Sequence, residues 1–153
     1  VSACPNHQTG RIVPFESRAT VAMAGTFGYE LDPAKLSEEE KQQIQEQITE
    51  FKKYYDVIHF GNYYRLTNAM EEGPYAAWEF AKEDGSEALV SVVASRVRTN
   101  DPGVRIKLRG LKENQMYLVN GVEYPGGALM HGGLLLEEAK KEYQSWNYHI
   151  VMK

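Results

Sequence analysis

The chain has 153 residues, with 17 basic and 21 acidic side chains. That length accommodates one compact domain but falls short of a complete barrel enzyme of roughly 250 residues, and the mild negative balance disfavours nucleic acid and anionic membrane, which are recognised through basic stripes. No apolar run reaches the roughly 18 residues of a membrane span, and the lone Cys4 excludes an internal disulfide or a paired-cysteine metal site.

The sequence opens at Val1 without an initiator methionine, so this end reads as a processed or cut terminus. Pro5-Asn6-His7-Gln8-Thr9-Gly10-Arg11 is a dense polar run expected to form a loop that faces something. A short helical pattern of small residues follows over 17–24, until Gly25 and Gly28 interrupt it. Residues 1–32 carry too little apolar surface to fold alone, and Ile12, Phe15, Val21 and Met23 are expected to leave an exposed apolar surface.

A long helix is expected over 38–58. Ser37 and Glu40 have capping-box spacing, and Glu38 and Glu39 place negative charge at the positive end of the helix dipole. Ile44, Ile48, Phe51, Tyr55 and Ile58 recur at helical steps and form the expected buried stripe, with Gly61-Asn62 as the stop. From Tyr63 onward the period becomes two, with strands expected over 63–66, 76–81, 88–97, 104–109, 116–119, 134–136 and 143–152. Glu72-Gly73-Pro74, Asp84-Gly85 and Asp101-Pro102-Gly103 supply turns, and Asn120-Gly121 is a two-residue hairpin signal. Arg105, Lys107 and Arg109 alternate with apolar residues as the solvated face of a strand would, and Gly126-Gly127 and Gly132-Gly133 read as turns or bulges. About seven or eight such segments suggest an antiparallel sandwich.

Catalysis by a carboxyl pair needs two rigidly held carboxyl groups close together, one to attack or activate water and one to move a proton. In the conspicuous N-terminal block only Glu16 and Glu30 come into consideration. Glu16 reads better as a partner of Arg11 or Arg18, and Glu30, with Asp32, as the end of a segment before the helix. His7 lies where several hydrogen-bonding side chains converge, and a structural network holding the loop is its plainer role. His59, His131 and His149 show no metal-ligand spacing, and Gln8-Thr9-Gly10-Arg11 lacks the further glycines of a phosphate loop. Tyr54, Tyr55, Tyr63, Tyr64, Trp78 and Trp146 are the aromatics whose exposure would matter for sugar stacking.

The N-terminal polar run, Pro14-Phe15-Glu16-Ser17-Arg18 and Gly25-Thr26-Phe27-Gly28-Tyr29-Glu30-Leu31-Asp32 together resemble the late barrel region of the α-galactosidases (melibiases) of glycoside hydrolase family 36. Leu129-Met130-His131-Gly132-Gly133-Leu134 resembles a phrase near that family's C-terminus. The resemblance implies a mainly β chain with a helical N-terminal part. Residues 1–60 would be the last loop and helices of a (β/α)8 barrel, including the amphipathic helix, and 61–153 a C-terminal antiparallel β-sandwich. It implies a parent that releases terminal α-galactose from melibiose or raffinose-type oligosaccharides with retention and without an organic cofactor. The family's catalytic aspartates lie on earlier barrel strands, in Lys-Trp-Asp and Gly-Gly-Arg-Phe-Asp motifs that no stretch here matches, so no catalytic residue is carried over. Asn6, His7 and Gln8 are placed near the barrel mouth as a substrate-proximal loop. The implied partners are the galactoside, the remainder of the barrel and a second copy of the chain, in a bacterial cytoplasm. The alternative is a non-catalytic sandwich that binds carbohydrate or mediates subunit assembly, although such a module has no need of residues 1–32.

Overall fold

The longest element begins where the sequence supplies its cap. The computed structural model describes residues 1–67, 73–97, 99 and 103–153, with helix α1 at Phe15–Ala22 and helix α2 at Glu38–Phe60. Ser37 Oγ accepts the Glu40 amide at 3.1 Å while Glu40 Oε2 accepts the Ser37 amide at 2.9 Å, which satisfies two donors that a helix start leaves unpaired. At the other end a Cβ on Gly61 would lie 2.2 Å from the Val57 carbonyl oxygen and 2.9 Å from that of Ala81. Gly61 is therefore fixed by close approach first to the last turn of α2 and then to β2, and has ordinary extended dihedrals.

The buried face of α2 is rotated from the expected stripe. Gln47, Tyr54, Val57 and Ile58 are buried, Ile44, Ile48 and Phe51 are half-buried, and Tyr55 is 43% exposed. The sheet is met by the side of the helix that carries Val57, whereas the Phe51 side meets the N-terminal segment, with Phe27 and Phe51 ring centroids 5.0 Å apart. Apolarity alone also missed Gln47, whose Oε1 accepts the Tyr29 hydroxyl at 2.8 Å. Burial pushes that phenol up to about 12.

The strands are β1 (Asn62–Arg65), β2 (Tyr75–Ala81), β3 (Glu87–Ala94), β4 (Arg105–Ile106), β5 (Met116–Val119), β6 (Val122–Pro125), β7 (Leu134–Leu135) and β8 (Ser145–Met152). Six form one sheet in the order β1-β2-β3-β8-β5-β6, each neighbouring pair antiparallel, and β4 pairs with β7 in a separate ribbon. Alternation sorts the side chains. Ala77, Val90, Val92, Tyr148 and Ile150 point to one face, where Ile106, Leu108, Leu129, Leu134 and Leu136 cover them. Phe80 and Leu89 point to the other, against Ala19, Met23, Tyr54, Val57 and Ile58. With both faces covered, β3 reads as a nearly continuous apolar run, Ala88-Leu89-Val90 and Val92-Val93-Ala94 around Ser91.

Several strands are shorter than their patterns, for nameable reasons. The stretch 104–109 pairs only at Arg105–Ile106, because the Arg109 and Gly110 amides donate to the buried Glu79 carboxylate at 2.8 and 3.0 Å. Its alternation still holds, with Ile106 and Leu108 buried and Arg105, Lys107 and Arg109 exposed. The stretch 88–97 ends at Ala94, since the Ser95 amide and hydroxyl both donate to the Pro74 carbonyl, at 2.6 and 2.8 Å. The stretch 143–152 starts as a strand at Ser145 because Tyr143 has φ 59°, a left-handed conformation costing a non-glycine residue about 1–2 kcal/mol. Asn120 and Gly121 have φ of 46° and 89°, as a type I′ hairpin turn demands. Gly126-Gly127 is neither turn nor bulge: it opens the π-helical turn Ala128–Gly132, and a Cβ on Gly126 would lie 2.0 Å from the Lys112 carbonyl oxygen. Glu72, Asp101 and Pro102, from two of the expected turns, lie outside the described residues.

Two polar devices join the layers. Asn147 on β8 accepts the Ser91 hydroxyl at 2.8 Å and donates to Glu50 of α2 at 3.0 Å. Glu79 ties β2 to the 109–110 turn, and burial pushes its carboxyl above the usual range although its two amide donors and Arg109 oppose the shift.

Candidate functional site

The N-terminal loop is built on Asn6. Its Oδ1 accepts the amides of Gln8 and Thr9, both at 3.0 Å, and the Thr9 hydroxyl at 3.1 Å, an Asx turn that needs a short side-chain acceptor at its first position. The Asn6 amide donates to the Arg11 carbonyl at 2.9 Å and the Gly10 amide to the Asn6 carbonyl at 2.8 Å; Gly10 supplies the positive φ of 66° that closes the loop. Asn6 is thus a loop-building residue. His7 and Gln8 are carried outward and are exposed.

A cleft of about 320 Å³ runs beside the loop, lined in part by Asn6, Gln8, Thr9, Arg11, Val13 and Arg18. The three residues singled out from the sequence divide here, since Asn6 and Gln8 line the cleft and His7 stands outside its lining. Arg18, from α1, holds the wall. Its Nε donates to the Val13 carbonyl at 3.2 Å, another guanidinium nitrogen donates to the Ser2 carbonyl, and its charge lies 4.8 Å from the Phe15 ring centroid.

Neither acid of this block forms a catalytic pair. Glu16 bonds Lys141 at 3.1 Å, not Arg11 or Arg18. Burial works to raise its carboxyl, but its own backbone amide and Lys141 outweigh that and hold it below the usual range. Glu30 is exposed and its backbone bridges to Ser2, while Asp32 Oδ1 caps the short turn Pro33–Lys35 by accepting the Ala34 amide at 3.0 Å. The scattered histidines serve local contacts. His131 meets Glu113 at 2.9 Å, His149 meets Glu87 at 2.8 Å, and His59 stacks on Tyr55 with centroids 4.0 Å apart. Among the described residues no group of three His, Cys, Asp or Glu side chains could hold a metal ion.

Of the aromatic side chains singled out, Tyr55 and Tyr63 are 43% and 52% exposed, and the others are buried or half-buried. Tyr54 is buried, Tyr63 is tilted 57° against Phe80, Trp78 is half-buried beside Phe80 and Leu89, and Trp146 Nε1 donates to Glu137 at 3.1 Å. Of the expected apolar surface, Phe15 and Met23 are buried, whereas Ile12 and Val21 are 72% and 54% exposed. Phe15 and Met23 lie on the side of the N-terminal segment that packs inward, which composition could not reveal. No described helix is long and apolar enough to cross a membrane.

Comparison with known proteins agrees from both ends of the chain. The Melibiase family model matches residues 1–61, and the model of the glycosyl hydrolase family 36 C-terminal domain matches residues 75–150. The chain belongs to glycoside hydrolase family 36. It is 49% identical over 150 residues to the bifunctional α-galactosidase/sucrose kinase AgaSK of Mediterraneibacter gnavus, covering 97% of this chain and 16% of that protein. The solved galactosidase domain of AgaSK superposes with a TM-score of 0.96 at 47% identity, over 100% of this chain and 21% of that one. An α-galactosidase AgaA variant from Geobacillus stearothermophilus, solved in complex with raffinose, superposes with a TM-score of 0.95 at 39% identity, again over 100% of this chain and 21% of that one. The family 36 chain therefore spans between 16% and 21% of the length of the first curated relatives it matches.

The sequence reading missed two features near the site: Arg18 as its wall, and Tyr143, whose ring lies 5.8 Å from the Arg11 guanidinium of the loop. Arg18 stood inside a quoted block and carries a charge, so its role as the cleft wall had a visible signal. Tyr143 had none, because nothing in the sequence distinguishes a tyrosine with positive φ from one that starts a strand.

Proposed function

We propose that this chain is the C-terminal part of a retaining α-galactosidase acting on raffinose-type oligosaccharides, with the catalytic carboxylates supplied by barrel segments outside this sequence. The observation that supports it best is agreement over essentially the whole chain, in sequence and backbone, with proteins named α-galactosidases, one of them solved with raffinose. On this reading residues 1–60 are the last loop and helices of the barrel, and 61–153 are the sandwich that supports it. Asn6 shapes the substrate-side loop, and Gln8 and His7 offer hydrogen bonds to sugar hydroxyls. The exposed Ile12 and Val21 then face the remaining barrel segments. A homo-oligomer and a cytoplasmic location belong to the same proposal, the latter supported by the single cysteine. No cofactor is invoked.

The proposal predicts no turnover of a chromogenic α-galactoside by this chain alone, since without a carboxylate pair both nucleophilic and general-acid assistance are missing. The protein extended by its upstream reading frame should hydrolyse the same substrate, and Gln8→Ala in that longer protein should raise KM. Turnover by the short chain that disappears in Glu16→Gln or Glu30→Gln would overturn the reading.

A further inference from the structure

The seat of the N-terminal zone is the segment 141–145, just before β8. Glu16 reaches Lys141 at 3.1 Å, Ser17 Oγ donates to the Tyr143 carbonyl, and Thr20 Oγ1 lies 3.2 Å from Ser145 Oγ. These three contacts dock α1. The polar loop has a separate attachment, because the Arg11 guanidinium lies 5.8 Å from the Tyr143 ring centroid, within cation–π range. Behind it the packing is open: Arg11, Tyr143, Ser17, Val21 and Val93 are among the residues lining a cavity of about 350 Å³. The loop is therefore not supported from below by a filled core.

Tyr143 holds φ 59°, where glycine or asparagine would sit with less strain. Its backbone is pinned there by the Ser17 hydroxyl on its carbonyl and by its own amide, which donates to the Ala94 carbonyl at 2.6 Å. Those bonds need only the backbone. They do not explain why the strained position carries a large aromatic side chain, and the ring's contact with Arg11 does. Arg11 in turn closes the loop, since its carbonyl accepts the Asn6 amide at 2.9 Å.

We propose that Tyr143 is a positioning residue, through which the C-terminal sheet sets the geometry of the Asn6–Arg11 loop and hence the presentation of Gln8 at the cleft. Strain retained at a residue whose side chain supports a ligand-facing loop is the pattern expected of a functional constraint. This inference rests on the proposed substrate-side role of the loop.

The variant that isolates the ring is Tyr143→Gly, which relieves the backbone strain while removing the aromatic face. Thermal melting of this chain should show no loss of Tm, yet amide exchange over residues 6–11 should quicken about threefold, the ratio expected on losing one exposed cation–π contact. In the longer enzyme the same variant should raise KM for an α-galactoside about threefold with kcat within about twofold, because a positioning contact acts on ground-state and transition-state binding alike. Tyr143→Phe, which keeps the ring, should restore both readings. Unchanged exchange over residues 6–11 in Tyr143→Gly overturns the inference, as does an unchanged KM when Gln8→Ala raises it. A Gln8→Ala enzyme with unaltered KM sinks the substrate-side reading instead, and the exchange measurement then decides the positioning role on its own.

Discussion

The sheet and the N-terminal zone are held by different physics. On the sheet face that carries Val90, Val92, Tyr117 and Ile150, the packing is self-sufficient: each of these residues is 0% exposed, and the Tyr117 hydroxyl still accepts the Lys112 amide and donates to the Gly85 carbonyl, both at 2.8 Å. The segment before α2 contributes Phe15, Ala19 and Met23 to the interior and otherwise relies on hydrogen bonds, Arg18 and the contacts at 141–145. A region that closes its own core tolerates the loss of neighbours. One that borrows its contacts opens at low free-energy cost.

The largest expected effect is a buried charge in the sheet. Val90→Asp places a carboxylate in the buried sheet between its cross-strand neighbours Tyr148 and the buried Glu79, with no cation among them, and should cost about 4 kcal/mol or more in urea unfolding, enough to unfold most of the chain. A mild effect there would mean that the sheet is not the core that the comparison supposes.

Next comes Glu79, whose replacement by alanine leaves the Arg109 and Gly110 amides without their acceptor and should cost about 3 kcal/mol. Its pH signature has a definite sign. With its carboxyl held above the usual range by burial, the folded state binds more protons than the unfolded one, so this group's contribution falls as pH rises above the ordinary carboxylate value. The cost of Glu79→Gln should accordingly shrink on going from acid to neutral pH. Glu87 behaves oppositely: burial works to raise it, but Lys82 and His149 hold it below the usual range, so its contribution is present at neutral pH and is lost as pH falls through the carboxylate range. Denaturant midpoints across pH for the two glutamine variants measure both slopes, and equal slopes would contradict the assignment.

The rotated face of α2 gives the third test. Val57→Ala removes a buried branched side chain and should cost about 2 kcal/mol, whereas Tyr55→Ala should change the stability of this chain by less than about 0.5 kcal/mol. Reversed magnitudes would restore the stripe read from the sequence.

What could be read in advance follows from how local each signal is. The cap at Ser37 and Glu40, the Asn120-Gly121 hairpin and the alternation of β2, β3 and β8 are all encoded within a few residues and were legible. The face of α2 was not, because Gln47 is buried through Tyr29, eighteen residues away in sequence. The pairing of Glu16 with Lys141 spans 125 residues, and nothing near Glu16 distinguishes that lysine from the closer arginines. The loop itself was visible as a polar run, but the division of labour between Asn6 as builder and Gln8 as cleft-lining residue required its hydrogen bonds.

The smallest stability effect belongs to the exposed apolar residues of the N-terminal zone, and there the informative readout is association. Ile12 and Val21 make little of their area available to this chain's own interior, so Ile12→Asp and Val21→Asp should shift unfolding midpoints by no more than about 0.5 kcal/mol. Exposed apolar side chains favour self-association, and light scattering should show a smaller average mass for the double variant than for the parent chain at the same concentration. Amide exchange should be fast over residues 2–13 in the monomer and much slower over 88–94, where the strand is buried and paired on both sides. A monomer equally protected in both stretches would mean that the N-terminal zone closes its own core after all, and the contrast between a self-sufficient sheet and a borrowed-contact segment would be wrong.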